Sequence, residues 1–463
     1  MIHTLLSIFL SVYFVSFTDK AGSAPVHFSE RAQEQRTRWN IPTDSLDYTV
    51  SPLYLDSIQR LGGKIHHTSR WLNGATIEMM SQTAQRVSAC RFVQSVEMTR
   101  DNTQTNAFIL RRKQPQIDYG QAQEQIDLYN LSPLHQAGFE GQGILMAVCD
   151  GGFYNAHTAS FLEQTHLLGH FDLTDDTYDF FSQTGEHGIE CLSVIAGKTD
   201  NFYGSATRAD YYLMRSEEND TESPKEMDNL VAALEKADSL GVNILSISLG
   251  YYEFDNAQWN LTYANMDGTT TRCSRAATIA ARKGMLVCVA AGNEGNKPWY
   301  YIDVPADADS ILAVGAVTPQ GSIAGFSSRG PSSDGRTKPD VCAVGAGTCL
   351  LHPDRTSPFY GNGTSFACPL IAGMAASLWS ALPDENAMQI RSRIIRSASR
   401  YISPDNAYGY GIPDAWAAYT GTTALPIVQS TYKAYKTLIN NEIHIIIDGQ
   451  TYDLLGRKLG NVP

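Results

Sequence analysis

The sequence predicts an α/β protein in which a mostly parallel sheet is covered by helices on both faces. Four short apolar runs have the length and composition of buried parallel strands: residues 144–148, 244–247, 286–290 and 311–317. A helical stretch at residues 227–240 lies between the first two runs and ends at Gly241. Strands that alternate with helices from about residue 126 to about residue 419 are typical of a parallel sheet with helical crossovers.

Length and composition set the outer limits. At 463 residues the chain exceeds what one compact core usually holds, so two or three folded units are expected. Hydrophobic residues make up 43% and charged residues 18%, which is ordinary for a globular protein. The formal net charge of -13 argues against a nucleic-acid binder, because phosphate contacts need concentrated Lys and Arg.

The amino terminus resembles an export signal. Residues 5–17 are an apolar run, and polar and small residues follow through Ala24. We interpret residues 1–24 as a signal peptide, since the run is too short to span a bilayer. No later segment approaches the ~20 apolar residues of a membrane helix, so no transmembrane segment is expected. The protein is then secreted or held at the cell surface; a buried N-terminal core helix is the alternative.

Residues 25–118 contain a second compact unit and a linker. From about residue 46 to 100 the pattern predicts an extended segment at 47–50, helices at 52–61 and 84–89, and strands at 64–69, 73–78 and 93–98. This order fits two helices on an antiparallel sheet. Residues 101 to about 124 are polar and hold the basic stretch 111–113, which is typical of an exposed linker.

The last segment, residues 420–463, changes character. Strand-like residues 443–447 and 451–454 flank Asp448 and Gly449, which is a hairpin pattern. No disulfide framework is evident among the eight cysteines. Cys90 lies in the 25–118 segment, and removal of that segment leaves an odd number. Four others lie in apolar runs, where a thiol packs as a small hydrophobic group: Cys149, Cys191, Cys288 and Cys368. Cys342 and Cys349 could pair across a short loop.

Three segments carry residues suited to acyl transfer. Asp150 ends the strand at 146–149, His187 opens an apolar helix, and Ser365 enters another helix from a glycine-rich turn. Open α/β sheets place their active sites at the carboxyl ends of strands. A neutral imidazole can take the proton of a serine nucleophile, and a buried carboxylate can hold that imidazole in one tautomer. The three residues predict a catalytic triad.

These segments resemble the active-site blocks of subtilisin-like serine proteases, whose chain order is also Asp, His, Ser. Residues 363–367 resemble the Gly-Thr-Ser-x-Ala block, and Ala291-Gly292-Asn293 resembles the oxyanion block. The resemblance covers roughly residues 126–419. It implies a subtilisin-like peptidase domain at 119–419, an endopeptidase that acts through an acyl-enzyme, and an oxyanion hole formed by Asn293 and the Ser365 backbone N–H.

The resemblance also implies substrate-binding segments for polypeptides. Ser248, Leu249 and Gly250 resemble the strand that pairs with the substrate backbone. Ala290, Ala291 and Gly292 resemble one wall of the primary specificity pocket. Two departures from the family pattern follow the catalytic residues: Ile189 and Cys191 after His187, and Asp150-Gly151-Gly152 in place of the commoner Asp-Thr-Gly.

The flanking regions have family counterparts too. Residues 46–100 resemble the propeptide of these proteases, best at 71–75, which implies an intramolecular inhibitor and a cleavage between about Arg100 and Tyr119. A plain structural domain is the alternative. Residues 452–459 resemble tails read by the type IX secretion system. Such tails normally continue with a further strand, so the tail is either truncated or a structural addition.

No cofactor or metal is predicted. Calcium, which some relatives use, is not supported by a motif, because the acidic loop at 172–176 does not match a defined loop code. Two rival functions belong to other classes. A catalytically inactive binding or adhesion protein of the same fold is disfavoured by retention of all four chemical residues. A lipase or esterase is disfavoured because Ala367 and the Ser-last order contradict its nucleophile elbow.

Overall fold

The structure is a computed structural model that describes residues 10–100, 119–174, 179–182, 185–218 and 221–421, and four strands within 434–461. Residues 1–424 form one compact unit and residues 425–463 a second. The chain therefore divides close to the boundary at 420 that the sequence predicts. The basic linker stretch 111–113 and the turn at 448–449 lie outside the described residues.

An antiparallel sheet with three helices is formed by residues 10–100. Its elements are β1 Leu10–Phe17, α1 Glu30–Arg38, α2 Pro52–Arg60, β2 Lys64–Ser69, β3 Gly74–Met80, α3 Ser81–Ser88 and β4 Val93–Arg100. The strand order is β2-β3-β1-β4, and neighbouring strands are antiparallel. The predicted helices and strands between residues 52 and 98 are confirmed to within a few residues. Asp47 differs, because it ends a 3₁₀ turn at Ser45–Asp47 where an extended segment is predicted.

The N-terminal apolar run is part of this sheet, which corrects the interpretation of residues 1–24. β1 pairs with β3 on one side and β4 on the other, and Val12 to Val15 are buried. Removal of residues 1–24 would take out an inner strand, so a removed signal peptide is wrong over residues 10–17, and so is a buried helix there. An apolar run of eight residues has the same composition in a leader and in a buried strand. The compact unit begins at residue 10, not at 46.

The elements of the larger part of the first unit follow Tyr119. They are α4 Gln123–Asp127, α5 Ser132–Gln136, β5 Leu145–Asp150, β6 His166–Asp172, α6 Glu186–Ala196, β7 Lys198–Thr199, β8 Phe202–Tyr203, β9 Asp210–Arg215, α7 Pro224–Leu240, β10 Ile244–Ile247, α8 Arg272–Arg282, β11 Leu286–Ala290, β12 Leu312–Val317, β13 Val341–Val344, β14 Ala346–Leu350, β15 Phe359–Asn362, α9 Thr364–Ala381, α10 Ala387–Ser397 and α11 Ala415–Thr420. Short 3₁₀ turns lie at Ser160–Leu162, Ala257–Trp259 and Tyr263–Asn265.

The central sheet has seven strands in the order β13-β12-β11-β10-β5-β9-β6, and all of its pairs are parallel. Side chains of β5 alternate between two cores: Met146 and Val148 pack in one, Leu145 and Ala147 in the other. The first core contains α6 and α9, and the second contains α7 and α8. This arrangement confirms the predicted α/β fold with helices on both faces.

The helix boundaries have local causes. α7 begins with Pro224 at its first position and a capping box between Ser223 and Glu226, and it ends at Gly241 with φ of 77°, a left-handed value that glycine favours. α9 is apolar around its whole circumference and buried along most of its length. Among the described residues, α9 is the one helix whose length and hydropathy would suit a membrane, and 89% of that stretch is packed inside the protein.

The sheet of residues 10–100 is anchored on α7 by buried polar contacts. Glu235 accepts hydrogen bonds from Ser69 Oγ (2.7 Å), the Arg70 N–H (3.0 Å) and the Trp71 N–H (3.1 Å). Arg70 forms a 2.7 Å ion pair with Asp238, and the Trp71 side chain packs in the α7–α8 core. Residues 71–75, the segment that best resembles a propeptide, therefore begin at this interface.

The second unit, residues 425–463, is an antiparallel sheet in the order β16 Ala434–Ile439, β17 Glu442–Ile447, β18 Gln450–Tyr452 and β19 Lys458–Asn461. β17 pairs with β18 from Ile447 and Gln450 outward, which confirms the predicted hairpin. All eight cysteines are free thiols. The suggested pairing of Cys342 and Cys349 is therefore wrong: Cys342 lies on β13 and faces the carbonyls of Ala407 and Tyr408.

Candidate active site

Asp150 and His187 form the centre of the site. Asp150 is the last residue of β5 and is fully buried. His187 lies in the first turn of α6 and donates from Nδ1 to Asp150 Oδ1 over 2.7 Å. The Gly151 N–H donates to the same oxygen over 2.8 Å. Because Nδ1 carries the proton toward Asp150, Nε2 is the ring nitrogen that can accept one.

Close approach of two backbones brings these residues together. A Cβ on Gly188 would lie 2.2 Å from the Gly152 carbonyl oxygen and 2.8 Å from Asp150 Cβ. Any larger residue after His187 would push the start of α6 away from the end of β5. The glycines beside Asp150 and His187 in the sequence therefore have a packing role at this contact.

Ser365 lies in the first turn of α9, where backbone N–H groups have no partner within the helix. The Ser365 carbonyl would ordinarily accept from the residue four positions on, but Pro369 has no N–H. Ser248 Oγ donates to this carbonyl over 2.7 Å, and the Cys191 thiol donates over 3.3 Å. Ser248, which follows β10, and Cys191 on α6 thus hold the backbone of the predicted nucleophile.

Asn293 is oriented by Thr364, the residue before Ser365. The Thr364 N–H donates to Asn293 Oδ1 over 2.9 Å, and Thr364 Oγ1 donates to the same atom over 3.2 Å. A backbone N–H can only donate, so Asn293 must present its oxygen to Thr364. Its Nδ2 amide donates no hydrogen bond within the described residues and is free to bind an anion beside Ser365.

The residue after Ser365 lies close to His187. The ring of Phe366, next to Ser365, lies 5.7 Å from the His187 ring between centroids. The described residues show no hydrogen bond between Ser365 Oγ and His187, a contact that in free enzymes often forms only when substrate binds. Removal from water lowers the pKa of His187, but the charge and hydrogen bond of Asp150 together with the contact of Cys191 outweigh this and raise the pKa well above 6.5.

Ile189 and Cys191, the two departures from the family pattern, are both fully buried on α6. The Cys191 sulfur lies 3.9 Å from both ring nitrogens of His187. Burial raises the pKa of Cys191 to about 11, so the thiol is neutral at physiological pH. Cys191 packs beneath the imidazole and donates to Ser365, and it is not an ionised nucleophile.

The two predicted substrate-binding segments follow adjacent parallel strands. Ser248, Leu249 and Gly250 come after β10, and Ala291 and Gly292 come after β11, whose last residue is Ala290. Leu249 and Gly250 make no backbone hydrogen bond among the described residues, so this edge is open to another chain. The Ser248 side chain does not face such a chain, since it bonds the Ser365 carbonyl.

Among the described residues, two groups of side chains have a spacing that could hold a cation: Asp150, His187 and Cys191, and Glu217, Glu222 and Glu226. The first is the site already described. Burial raises the pKa of Glu217 to about 8 and of Glu222 to about 7, so both carboxyls bind protons near neutral pH. In the acidic loop at 172–176, Asp172 is paired with Arg215, and residues 175–176 lie outside the described residues.

Sequence reasoning missed three residues at this site. Thr364 is part of the Gly-Thr-Ser block, but the block does not indicate that Thr364 bonds and orients Asn293. The thiol of Cys191 was expected only to pack. Asp303, which lies between the two substrate-binding segments, has no local motif that would single it out.

Two family models match the chain. One described as "Subtilase family" matches residues 141–411, which span the whole site. One described as "Peptidase S8 propeptide domain, Bacteroidota" matches residues 12–116. The second match begins within β1, which agrees with the place of that strand in the small sheet.

Curated relatives and solved structures are similar over much of the chain. Subtilisin E of Bacillus subtilis (strain 168) is 25% identical over 368 residues, which cover 78% of this chain and 85% of the relative. The thermophilic serine proteinase of Bacillus sp. (strain AK1) is 29% identical over 290 residues, covering 61% and 63%. MycP1 from the ESX-1 type VII secretion system has a TM-score of 0.52 at 21% identity and covers 71% of this chain and 92% of that chain, which shows a shared fold.

Proposed function

The chain belongs to the subtilase family of serine proteases, and on that premise we propose that it is an endopeptidase with Asp150, His187 and Ser365 as its catalytic triad. The observation that carries this proposal is the 2.7 Å hydrogen bond from His187 Nδ1 to the buried Asp150 carboxylate. It leaves Nε2 as the ring nitrogen that can accept the proton of Ser365. Burial of the carboxylate distinguishes this pair from the more exposed pair of His166 and Asp210.

The reaction follows from these positions. Ser365 Oγ attacks the carbonyl carbon of the scissile peptide while His187 Nε2 takes its proton. Asp150 stabilises the imidazolium that forms. His187 then returns the proton to the leaving amine, and the acyl group stays on Ser365 as an ester. Water attacks this ester with His187 again as the base, which releases the acid product and restores the enzyme.

The anion that forms at the carbonyl oxygen needs donors that are already in place. Asn293 Nδ2 and the Ser365 backbone N–H are the proposed pair, one oriented by Thr364 and the other by the start of α9. Fixed donors cost no reorganisation during the reaction, so they stabilise the transition state more than the substrate.

Polypeptide substrates bind in extended form along Leu249 and Gly250 by strand addition. The open backbone at these residues supports this. Extended binding also holds the scissile bond in one pose relative to Ser365, which the triad requires. We propose no metal or other cofactor in the reaction.

We propose that the enzyme is made as a zymogen in which residues 10–100 inhibit the peptidase. The match to a propeptide family and the buried contacts of Glu235 with residues 69–71 support this role. Removal of the propeptide requires a cut between about Arg100 and Tyr119. The same segment can speed folding of the parallel sheet, since non-local strand pairing is slow.

Export to the cell surface or the medium is part of the proposal. Since β1 is an inner strand of the propeptide sheet, any leader that is removed has to end upstream of it. N-terminal sequencing of the exported Ser365→Ala zymogen tests this, with a terminus at or before Leu10 expected. A terminus near residue 25 would contradict the assigned role of β1. Residues 425–463 are a proposed sorting tail. Deletion of this tail should prevent export, so that the active enzyme is found inside the cell.

A fluorophosphonate probe tests the central claim. The processed wild-type protein should be labelled at Ser365, and Ser365→Ala should not be labelled. The unprocessed chain should react more slowly if residues 10–100 inhibit the peptidase as proposed. Absence of labelling in a folded, propeptide-free wild type would favour the rival, an inactive binding or adhesion protein. Turnover of a simple ester without turnover of a peptide amide would favour an esterase.

A further inference from the structure

The two predicted substrate-binding segments lie next to the turn that carries Ser365. Residues 248–250 and 290–292 follow β10 and β11, which are parallel neighbours, so the segments lie side by side. Both are tied to the nucleophile's turn. Ser248 Oγ bonds the Ser365 carbonyl at 2.7 Å, and the Gly292 N–H donates to Thr364 Oγ1 over 3.1 Å. A substrate side chain that contacts both segments therefore belongs to a residue close to the scissile bond.

Asp303 is in contact with both segments. Its N–H donates to the Ala291 carbonyl over 3.1 Å, which ties it to the segment 290–292, one wall of the site. Val304 and Tyr251 exchange two backbone hydrogen bonds of 2.9 and 3.2 Å, which tie the residue after Asp303 to the end of the segment 248–250, the other wall. Asp303 is thus held by both walls through backbone contacts.

The carboxylate fits only because both walls carry glycine. A Cβ on Gly292 would lie 2.1 Å from Asp303 Oδ2, and a Cβ on Gly250 would lie 2.9 Å from Asp303 Cβ. Gly292 also has φ of +106°, a conformation that other residues rarely adopt. The two glycines that resemble pocket walls in the sequence are therefore in direct contact with an acid.

This acid has no cationic partner of its own. Asp303 is 5% exposed, and its Oδ1 is buried without a hydrogen-bond partner. The charged groups that act on it are Glu294 and Lys297, and Lys297 is already paired with Glu294 at 2.9 Å. Burial first, and then the charge of Glu294, raise the pKa of Asp303 well above its ordinary value, while a hydrogen bond from Trp299 and the charge of Lys297 offset part of this. A buried carboxyl without a cationic partner is costly unless a ligand supplies the missing positive charge.

We propose that Asp303 is a specificity-determining residue that selects Arg or Lys immediately before the scissile bond. This inference rests on the proposed endopeptidase function. A guanidinium or ammonium group between the glycine walls would give Asp303 the charge-assisted hydrogen bond that the free protein lacks. An apolar side chain in the same place would leave the carboxyl buried without a cationic partner.

The test compares peptides that differ only in the residue before the scissile bond: Arg, Lys, Leu and Phe. The enzyme is the processed wild type, with active sites counted by fluorophosphonate labelling. We expect kcat/KM for Arg and Lys to exceed that for Leu and Phe by about 10²-fold, since a charge-assisted contact in a buried site has this worth. Labelled enzyme that prefers Leu or Phe overturns the inference alone. Unlabelled folded enzyme overturns the proposed function instead.

The variant Asp303→Asn isolates the charge. It should lower kcat/KM for Arg and Lys peptides about 10²-fold and lower that for Leu and Phe peptides by less than about threefold. The matched control is Asp309→Asn, which removes the same charge from an exposed position six residues on. An equal loss on all four peptides would show that Asp303 is only structural.

A second readout needs no variant. Because the pKa of Asp303 is raised, its carboxyl ionises only at higher pH, and Glu294 and Lys297 are the charged groups that set this pH. The wild-type ratio of kcat/KM for Arg over Leu should therefore rise with pH. The effect of His187 cancels in this ratio, since both peptides need it. A ratio that is flat or falls with pH would contradict the role of Asp303.

Discussion

The hydroxyl of Ser248 donates a 2.7 Å hydrogen bond to the carbonyl oxygen of Ser365. This carbonyl is one that α9 cannot satisfy, because Pro369 lacks the N–H that would reach it. The bond lets a residue that follows β10 hold the backbone of the proposed nucleophile. It also gives a structural role to a buried polar side chain at the start of a predicted substrate-binding segment.

The first prediction concerns this contact. Ser248→Ala should lower kcat about tenfold and cost about 1–3 kcal/mol in the free energy of unfolding, because only the Cys191 thiol would remain for the carbonyl. Peptide turnover and thermal unfolding measure the two effects. Ser246→Ala is the matched control, since Ser246 is buried on the same strand and contacts Cys368, away from Ser365. Equal effects of both variants would contradict the proposed role.

The second prediction is a pH dependence. His187 must be neutral to accept a proton, and Asp150 raises its pKa above 6.5, so kcat/KM should rise with pH through an apparent pKa above that value. Asp150→Asn should move this limb to lower pH and reduce kcat by about 10⁴-fold, the loss known for the same change in trypsin-like enzymes. The pH dependence of kcat/KM for the wild type and for Asp150→Asn tests this. An acid limb at the same pH in both proteins would contradict the assigned role of Asp150.

The third prediction separates orientation from chemistry in the oxyanion hole. Asn293→Ala should lower kcat by about 10²–10³-fold, the range known for the same donor in subtilisin. Thr364→Val removes the side-chain hydroxyl that bonds Asn293 and the Gly292 N–H, and should cost roughly tenfold in kcat with little change in KM. Thr364→Ser keeps the hydroxyl and should restore most of the rate. No recovery with Ser would mean that Thr364 acts by packing alone.

The fourth prediction concerns the propeptide interface. Glu235→Ala leaves Ser69 Oγ and the N–H groups of Arg70 and Trp71 without their shared acceptor, which should weaken docking by about 3 kcal/mol or more. Hydrogen exchange over residues 10–100 of the Ser365→Ala zymogen should show faster exchange. Glu253→Ala, an exposed glutamate, is the control. Unchanged protection in Glu235→Ala would rule out these contacts as the anchor.

The fifth prediction concerns the thiol beside the imidazole. Because Cys191 is buried and its pKa is about 11, N-ethylmaleimide at neutral pH should not inhibit the processed enzyme. Cys191→Val should keep activity within roughly threefold, since Ser248 still holds the Ser365 carbonyl. Rapid inactivation by the reagent, abolished in Cys191→Val, would show that the thiol is accessible and that this description of the site is wrong.

The sequence by itself determined the class of fold, and it predicted four residues for the chemistry. Asp150, His187 and Ser365 lie at a strand end or a helix start, and such local patterns are visible without knowledge of the fold. Asn293 was predicted from the resemblance to a family block. The parallel strands at 244–247 and 286–290 were also predicted with their observed bounds. Local periodicity and glycine spacing suffice for these features because the interactions behind them are close in sequence.

Only the tertiary structure decided the roles that depend on distant contacts. The apolar run at residues 10–17 is an inner strand because β3 and β4, more than fifty residues away, supply its partners. Ser248 acts on Ser365 across 117 positions of the chain. Asp303 meets Gly250 and Gly292 only because two parallel strands end side by side and a third segment crosses beneath them. Side chains that meet this way leave no signature in either local sequence, so their chemistry becomes visible only in the fold.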